Sequence, residues 1–86
     1  MTVGDLIKNK DYDRINWRIV VPEHMRERFG GEAHIFVGVA ASKGGRLISL
    51  DGDSYSRDAE VVMHREWSKP LEGIFNGLTV VTENDW

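Results

Sequence analysis

The sequence contains no cysteine, and this absence narrows the kinds of protein that it can encode. It excludes a disulfide framework and zinc sites built on thiolates, and it fits a reducing cytoplasm, the compartment that we expect. The run of about eighteen apolar residues that a membrane span requires is also missing, so we expect no contact with a membrane. The first residues, MTVGDLIKNKDYD, carry acids early and lack the apolar core of a signal peptide.

Catalytic motifs are missing as well. None of the histidines, His24, His34 and His64, stands in an HExxH pattern, and there is no GxSxG nucleophile elbow. Lys43-Gly-Gly lacks the spacing of a phosphate-binding P-loop. His64 and Glu66 share one face of a predicted strand; such a pair can hold a metal or relay a proton, but exposed polar pairs are far more common. We therefore expect a protein that is not an enzyme and that uses no metal or cofactor.

Charge is unevenly distributed along the chain. The net charge is −3, yet residues 1–50 carry eight Lys and Arg against six Asp and Glu, whereas residues 51–86 carry three against eight. The acidic half argues against direct nucleic-acid binding, because a nucleic-acid clamp needs cations to replace the counterions on phosphates. An acidic surface suits a basic protein partner, and it also keeps a small protein soluble.

Local patterns predict one short helix and five strands. Thr2 and Asp5 have the spacing of a capping box, which predicts a helix over residues 5–10. Apolar alternation, β-branched runs and glycine-containing turns predict strands over residues 15–21, 34–41, 46–50, 60–67 and 78–82. Gly44-Gly45 suits a hairpin turn. Residues 22–31 suit either a short helix or a loop, and residues 68–77 suit a loop with a turn at Asn76-Gly77.

These elements predict a single domain over residues 1–86, α+β or mainly β, with mostly antiparallel strands in a strongly bent sheet or small barrel. Trp17 is expected in the core. Gly38 marks a bulge or a close approach of another part of the backbone. Trp86 either folds back to seal the barrel or serves as an interface anchor. The 68–77 loop is expected to contribute three apolar plugs: Leu71, Ile74 and Phe75.

The stretch SLDGDSYSRDAE, residues 49–60, holds four carboxylates: Asp51, Asp53, Asp58 and Glu60. An EF-hand starting at Asp51 needs glycine at position six and glutamate at position twelve, but Ser56 and Val62 stand there. The EF-hand is excluded, while a looser cation site formed by Asp51, Asp53 and Asp58 stays open. Asp51-Gly52 predicts a turn, and the sequence shows no pocket that could separate the pKa values of two acids for catalysis.

Several blocks of the chain resemble known proteins. KNKDYDRINWRI, RLISLDGDSYSRDAEVV, EWS and GLTVV are similar to blocks in small uncharacterised proteins of phages and conjugative elements of Gram-positive bacteria. Asp5-Leu-Ile7 and residues 8–12 also resemble the start of a type II-A anti-CRISPR protein, although the two blocks are contiguous here and separated there. The resemblance implies a mobile-element setting in a bacterial host cell, and no residue role is carried over from it.

The leading hypothesis combines this setting with the acidic half. It is a stoichiometric inhibitor of a host defence protein, a basic partner such as a nucleic-acid-binding nuclease, with carboxylates that imitate phosphates. The expected contacts are Asp51, Asp53, Tyr55, Asp58 and Glu60. Alternatives are a small-ligand or nucleotide-binding sponge with a cleft at an oligomer interface, a DNA-binding regulator with a β-ribbon, and an accessory protein. The sponge would rely on Arg14, Arg18 and Arg46, and a homodimer stays open.

Overall fold

The computed structural model describes residues 1–71 and 73–83, with side chains described for all of these except residues 71, 73 and 74. One short helix and five strands form the fold. Their bounds are α1 (Val3–Ile7), β1 (Tyr12–Val20), β2 (His34–Lys43), β3 (Arg46–Ser49), β4 (Val61–Leu71) and β5 (Gly73–Thr82), with a 3₁₀ helix (Glu23–Phe29) between β1 and β2. The prediction of an α+β fold is confirmed.

The strands form a single sheet in the order β3-β2-β1-β5-β4. Three neighbouring pairs are antiparallel, and β5 runs parallel to the central strand β1. In the described part of the chain β3 and β4 are the two edges and do not pair with each other, so the sheet is open and the barrel alternative is wrong. The β2–β3 hairpin turns at Gly44 and Gly45, whose φ angles of 58° and 77° suit a two-residue turn.

Helix α1 covers one face of the sheet. The predicted capping box is present, because Thr2 Oγ1 accepts the Asp5 amide N–H at 3.3 Å and the Asp5 carboxylate accepts the Thr2 N–H at 2.9 Å. The helix ends at Ile7, earlier than the predicted residue 10. Val3 and Ile7, four positions apart and therefore on one side of the helix, are fully buried.

The core lies between α1 and the sheet. Its fully buried members include Ile15, Leu78 and Val80, and Trp17 retains only 4% of its surface exposed. The Trp17 indole Nε1 donates to Thr82 Oγ1 at 3.0 Å, which satisfies the polar atom that this large ring brings into the core. The predicted core position of Trp17 is confirmed.

The structure corrects the prediction for residues 68–77. They continue β4 and begin β5, and Asn76 and Gly77 pair with Ser68 and Trp67 rather than forming a turn. The ring of Trp67 packs on Gly77, so tertiary packing overrides the turn preference of Asn-Gly. Phe75 is half-buried. The other two predicted plugs, Leu71 and Ile74, have side chains outside those described.

Residues 22–31, for which helix and loop were both open, contain the 3₁₀ helix, and Gly30 ends it with a left-handed φ of 68°. At Gly38 the structure confirms the predicted bulge, whereas the predicted approach of another part of the backbone is wrong. A register irregularity of the β1–β2 ladder lies beside it, and the close approach comes from side chains rather than from backbone. In the described part of the chain no helix has the length and apolar character to cross a membrane.

Candidate functional site

The acidic segment, residues 51–60, crosses the same face of the sheet as α1. Backbone hydrogen bonds join the two, from the Val3 amide to the Ala59 carbonyl at 3.0 Å and from the Gly4 amide to the Arg57 carbonyl at 2.8 Å. The Tyr55 ring packs against Trp17 with 4.9 Å between ring centroids. The segment is therefore held at its middle by Tyr55 and near its C-terminal end by α1.

Gly38 makes room for the central anchor of this segment. A Cβ atom at Gly38 would lie 1.8 Å from the Tyr55 hydroxyl and 2.1 Å from Asp51 Oδ2. The Tyr55 hydroxyl donates to that same Asp51 oxygen at 2.5 Å. Burial and then the hydrogen bond to Asp51 raise the pKa of Tyr55 above its ordinary value, so the phenol stays protonated and keeps donating.

Asp51 organises the turn that begins the acidic segment. Its carboxylate accepts the Val39 amide at 2.9 Å, the Asp53 amide at 3.0 Å and the Ser49 hydroxyl at 3.2 Å, in addition to the Tyr55 hydroxyl. The Tyr55 hydrogen bond first, and then the backbone amides, lower the pKa of Asp51 to about 2. Gly52 completes the turn with a φ of 84°. Asp51 is thus an ionised structural carboxylate.

The remaining predicted contact residues face solvent. Asp53 and Asp58 are exposed, and within residues 1–71 and 73–83 neither side chain has an ion-pair partner. Glu60 is exposed, and its Oε2 lies 3.2 Å from the amino group of Met1. The five predicted residues therefore divide into two anchors, Asp51 and Tyr55, and three outward carboxylates. Trp86 lies outside the described residues.

A cleft opens beside the acidic segment. It has a volume of about 320 Å³ and receives apolar side chains from Trp17, Ile19 and Val37. Ser54, Ser56 and Glu83 add polar groups to its lining. Sequence reasoning missed this cleft, because it forms only where the segment packs across the sheet.

A second polar cluster joins Tyr12, Glu66 and Lys10 near the edge strand β4. The Tyr12 hydroxyl donates to Glu66 Oε1, and Lys10 Nζ lies 3.4 Å from the same oxygen. Burial and then this hydrogen bond raise the pKa of Tyr12, while the Tyr12 hydrogen bond is the largest cause that lowers the pKa of Glu66. Glu66 is thus held by Tyr12 and Lys10. From the sequence, the only partner suggested for Glu66 was His64, which shares its face of the strand.

The looser cation site has no support in the geometry. Nowhere in the described ranges do three or more His, Asp or Glu side chains converge as a metal site would require. Asp51 directs its oxygens to internal hydrogen-bond donors, which compete with any cation for the same lone pairs.

The opposite face of the sheet holds the basic residues that the ligand-sponge alternative invoked. By strand register, Arg14, Arg18 and Arg46 all lie on the side of the sheet away from α1. The cleft on the α1 side and these arginines therefore belong to different surfaces. Comparisons of the chain with protein-family models, with curated proteins and with solved structures found no match.

Proposed function

We propose that the protein is a mobile-element inhibitor that acts by stoichiometric binding, covering a basic surface of a host defence protein with its acidic segment. The observation that carries the proposal concerns Asp53 and Asp58, two exposed carboxylates that have no ion-pair partner among the described residues. They lie on a segment anchored by Tyr55 and Asp51. A partner with a basic nucleic-acid channel, such as a nuclease of the host cytoplasm, has the complementary charge.

Anchoring matters because binding costs the freedom of every group that it immobilises. Asp51 holds the turn and Tyr55 holds the middle of the segment before a partner arrives, so less ordering is required on association. The excess of five negative charges in residues 51–86 adds long-range attraction, which accelerates encounter with a basic protein.

The cleft supplies the apolar part of the same interface. An Arg or Lys of the partner can place its aliphatic stem against Trp17, Ile19 and Val37 while its charged head stays near the carboxylates of the rim. Glu83 lines the cleft and is exposed, so it is placed to receive such a head group. This arrangement predicts a partner that inserts a cationic side chain.

A pull-down tests the proposal. The tagged protein is incubated with a nuclease-treated lysate of a Gram-positive bacterium, and bound proteins are identified by mass spectrometry. The test variant is Asp53→Lys with Asp58→Lys. The matched control is Glu27→Lys with Glu32→Lys, which makes the same charge change at exposed positions on and just after the 3₁₀ helix.

The wild type and the control should retain a basic protein that the test variant loses, and retention should weaken as salt is raised. All three proteins should have similar melting temperatures, because exposed charges away from structural contacts change stability little. Retention of the same protein by the test variant at moderate salt would contradict the acidic-surface proposal.

A further inference from the structure

The side of the sheet away from α1, called here the open face, concentrates positive charge. Strand register places alternate residues of each strand on this face, and paired residues share it. Its ladder positions hold six cations: Arg14, Arg18, Lys43, Arg46, Arg65 and Lys69. Among the described side chains at these positions there is no Asp or Glu. Asp13, in the bulge beside Arg14, accepts the Asn76 amide at 2.8 Å.

The open face also presents a flat aromatic ring. A Cβ atom at Gly77 would fall 2.1 to 2.3 Å from three adjacent ring carbons of Trp67, so the indole lies face down on the Gly77 backbone. Phe75 lies beside it, with ring centroids 5.9 Å apart, and Lys69 Nζ is 5.8 Å from the indole centroid. Together with Arg14 and Asn16 these residues line a cavity of about 430 Å³.

A third ring, that of Phe36, lies on the other side of the central strand β1. Phe36 on β2 is 50% exposed and is the register partner of Arg18 on β1. Arg18 is held in place, because its Nε lies 2.6 Å from His34 Nδ1 and its Nη2 donates to the His34 carbonyl at 3.1 Å. From β2 to β4 there are three strand spacings, or about 14 Å, so rings flank a central band of arginine.

We propose that the open face binds single-stranded nucleic acid. Cations that follow the backbone and rings that stack on bases are the combination that single strands require, and stacking needs no particular sequence. A second copy of this chain packed face to face would bring arginines against arginines, which disfavours a dimer through this surface. Duplex grooves are entered by a protruding helix or ribbon, whereas this face is a sheet surface.

The acidic charge of residues 51–86 predicted the opposite, namely no direct nucleic-acid binding, and the fold explains why a charge summed along the sequence misleads. The acidic segment lies on the α1 side, and the sheet and the core separate it from the open face. At physiological ionic strength the Debye length is about 8 Å, so salt screens much of the repulsion between the far carboxylates and a strand on the open face. This inference does not rest on the proposed function, which uses the other surface.

The test is a fluorescence anisotropy titration of a labelled oligothymidylate of about twelve nucleotides, a length within the range that such surfaces cover. The variants are Arg14→Ala with Lys69→Ala, and separately Trp67→Ala. Lys8→Ala with Arg57→Ala is the matched control, since it removes the same charge from the α1 side of the molecule. In the described chain the Trp67 Nε1 has no hydrogen-bond partner, so Trp67→Ala breaks no hydrogen bond.

Wild-type binding should weaken with salt with a logarithmic slope of about −3, at about −0.7 for each of four phosphate contacts. Arg14→Ala with Lys69→Ala should weaken binding at least tenfold and reduce the slope by about 1.4. Trp67→Ala should weaken it roughly tenfold through lost stacking. The control should stay within about twofold of the wild type. If Trp67→Ala does not fold, the binding of Arg14→Ala with Lys69→Ala decides whether the inference holds.

Three results would overturn the inference. The first is the absence of a salt-dependent anisotropy change, and the second is a double variant that binds as tightly as the wild type. The third is displacement of the oligonucleotide by polyglutamate as effective as that by unlabelled oligothymidylate, which would assign the face to acidic proteins. We expect unlabelled oligothymidylate to displace the labelled strand effectively, and duplex DNA and polyglutamate to compete more weakly.

Discussion

Gly38→Ala is the substitution whose effect follows most directly from the packing. The φ angle of Gly38 lies outside the left-handed region, so alanine is compatible with the backbone and the cost is steric. A Cβ at Gly38 would lie 1.8 Å from the Tyr55 hydroxyl. To reach an ordinary contact of about 3.4 Å, the hydroxyl must retreat by about 1.6 Å, which disturbs the packing of its ring on Trp17.

The magnitude comes from three contributions. Losing the ring contact costs about 0.5–1.5 kcal/mol, and overpacking costs about 1–3 kcal/mol. The lower entropy of the unfolded alanine chain returns about 0.4–1 kcal/mol. The net loss in the free energy of unfolding is about 2 kcal/mol. In a domain of this size that corresponds to a fall in Tm of about 10 °C.

This steric effect is tested by urea denaturation, which measures the free energy of unfolding with and without Gly38→Ala in two backgrounds, the wild type and Tyr55→Ala. With Tyr55→Ala already present, the clash with the hydroxyl and the ring contact with Trp17 are both gone, although the new methyl group still meets the Asp51 carboxylate. Gly38→Ala should therefore cost less than in the wild type, by at least the value of the ring contact, about 0.5–1.5 kcal/mol. An equal cost in both backgrounds, or no cost in the wild type, would refute the assignment of Gly38 as the residue that makes room for Tyr55.

Three further predictions concern stability. Because the Asp51 pKa is lowered to about 2, the stability that it contributes should be present above about pH 4 and lost as the pH falls toward 2. Asp51→Asn should flatten that part of a pH-dependent denaturation series, and an unchanged slope would contradict the role of Asp51. Tyr12 and Tyr55 both have raised pKa values, so an absorbance titration should show no tyrosinate until above about pH 10, with stability falling beyond that point. Leu78→Ala should cost about 2–5 kcal/mol in chemical denaturation, whereas Val62→Ala, at a 53% exposed site, should stay within about 0.5 kcal/mol. Equal losses of stability for Leu78→Ala and Val62→Ala would contradict the assignment of Leu78 to the core.

Local features of the sequence were sufficient for much of the fold. The capping box at Thr2 and Asp5, the alternation around Ile15 and the turn at Gly44-Gly45 depend on neighbours within a few residues, and all three are confirmed. The parallel pairing of β1 with β5 could not be predicted in the same way, because it depends on which distant strands meet. Asn76-Gly77 was assigned to a turn because cross-strand packing on Trp67 is invisible to local patterns.

The candidate site was only partly predictable. The sequence places the five predicted contact residues within ten positions. The hydrogen bonds that make Asp51 and Tyr55 anchors, and leave Asp53 and Asp58 facing outward, depend on the fold. The basic open face was hidden for a different reason. Bulges in the β1–β2 and β4–β5 ladders shift the alternation of faces along the strands. The summed charge also does not show that acids and cations lie on opposite sides of a sheet.

The central claim is that the two sides of this sheet bind partners of opposite charge. An NMR titration tests it most directly, by following the backbone amide shifts of the isotope-labelled protein with oligothymidylate and then, separately, with an arginine-rich peptide. The oligonucleotide should shift amides of residues 65–69 and 75–79, and the peptide should shift those of residues 53–60. Shifts of one common set by both probes, or of neither set, would contradict the account.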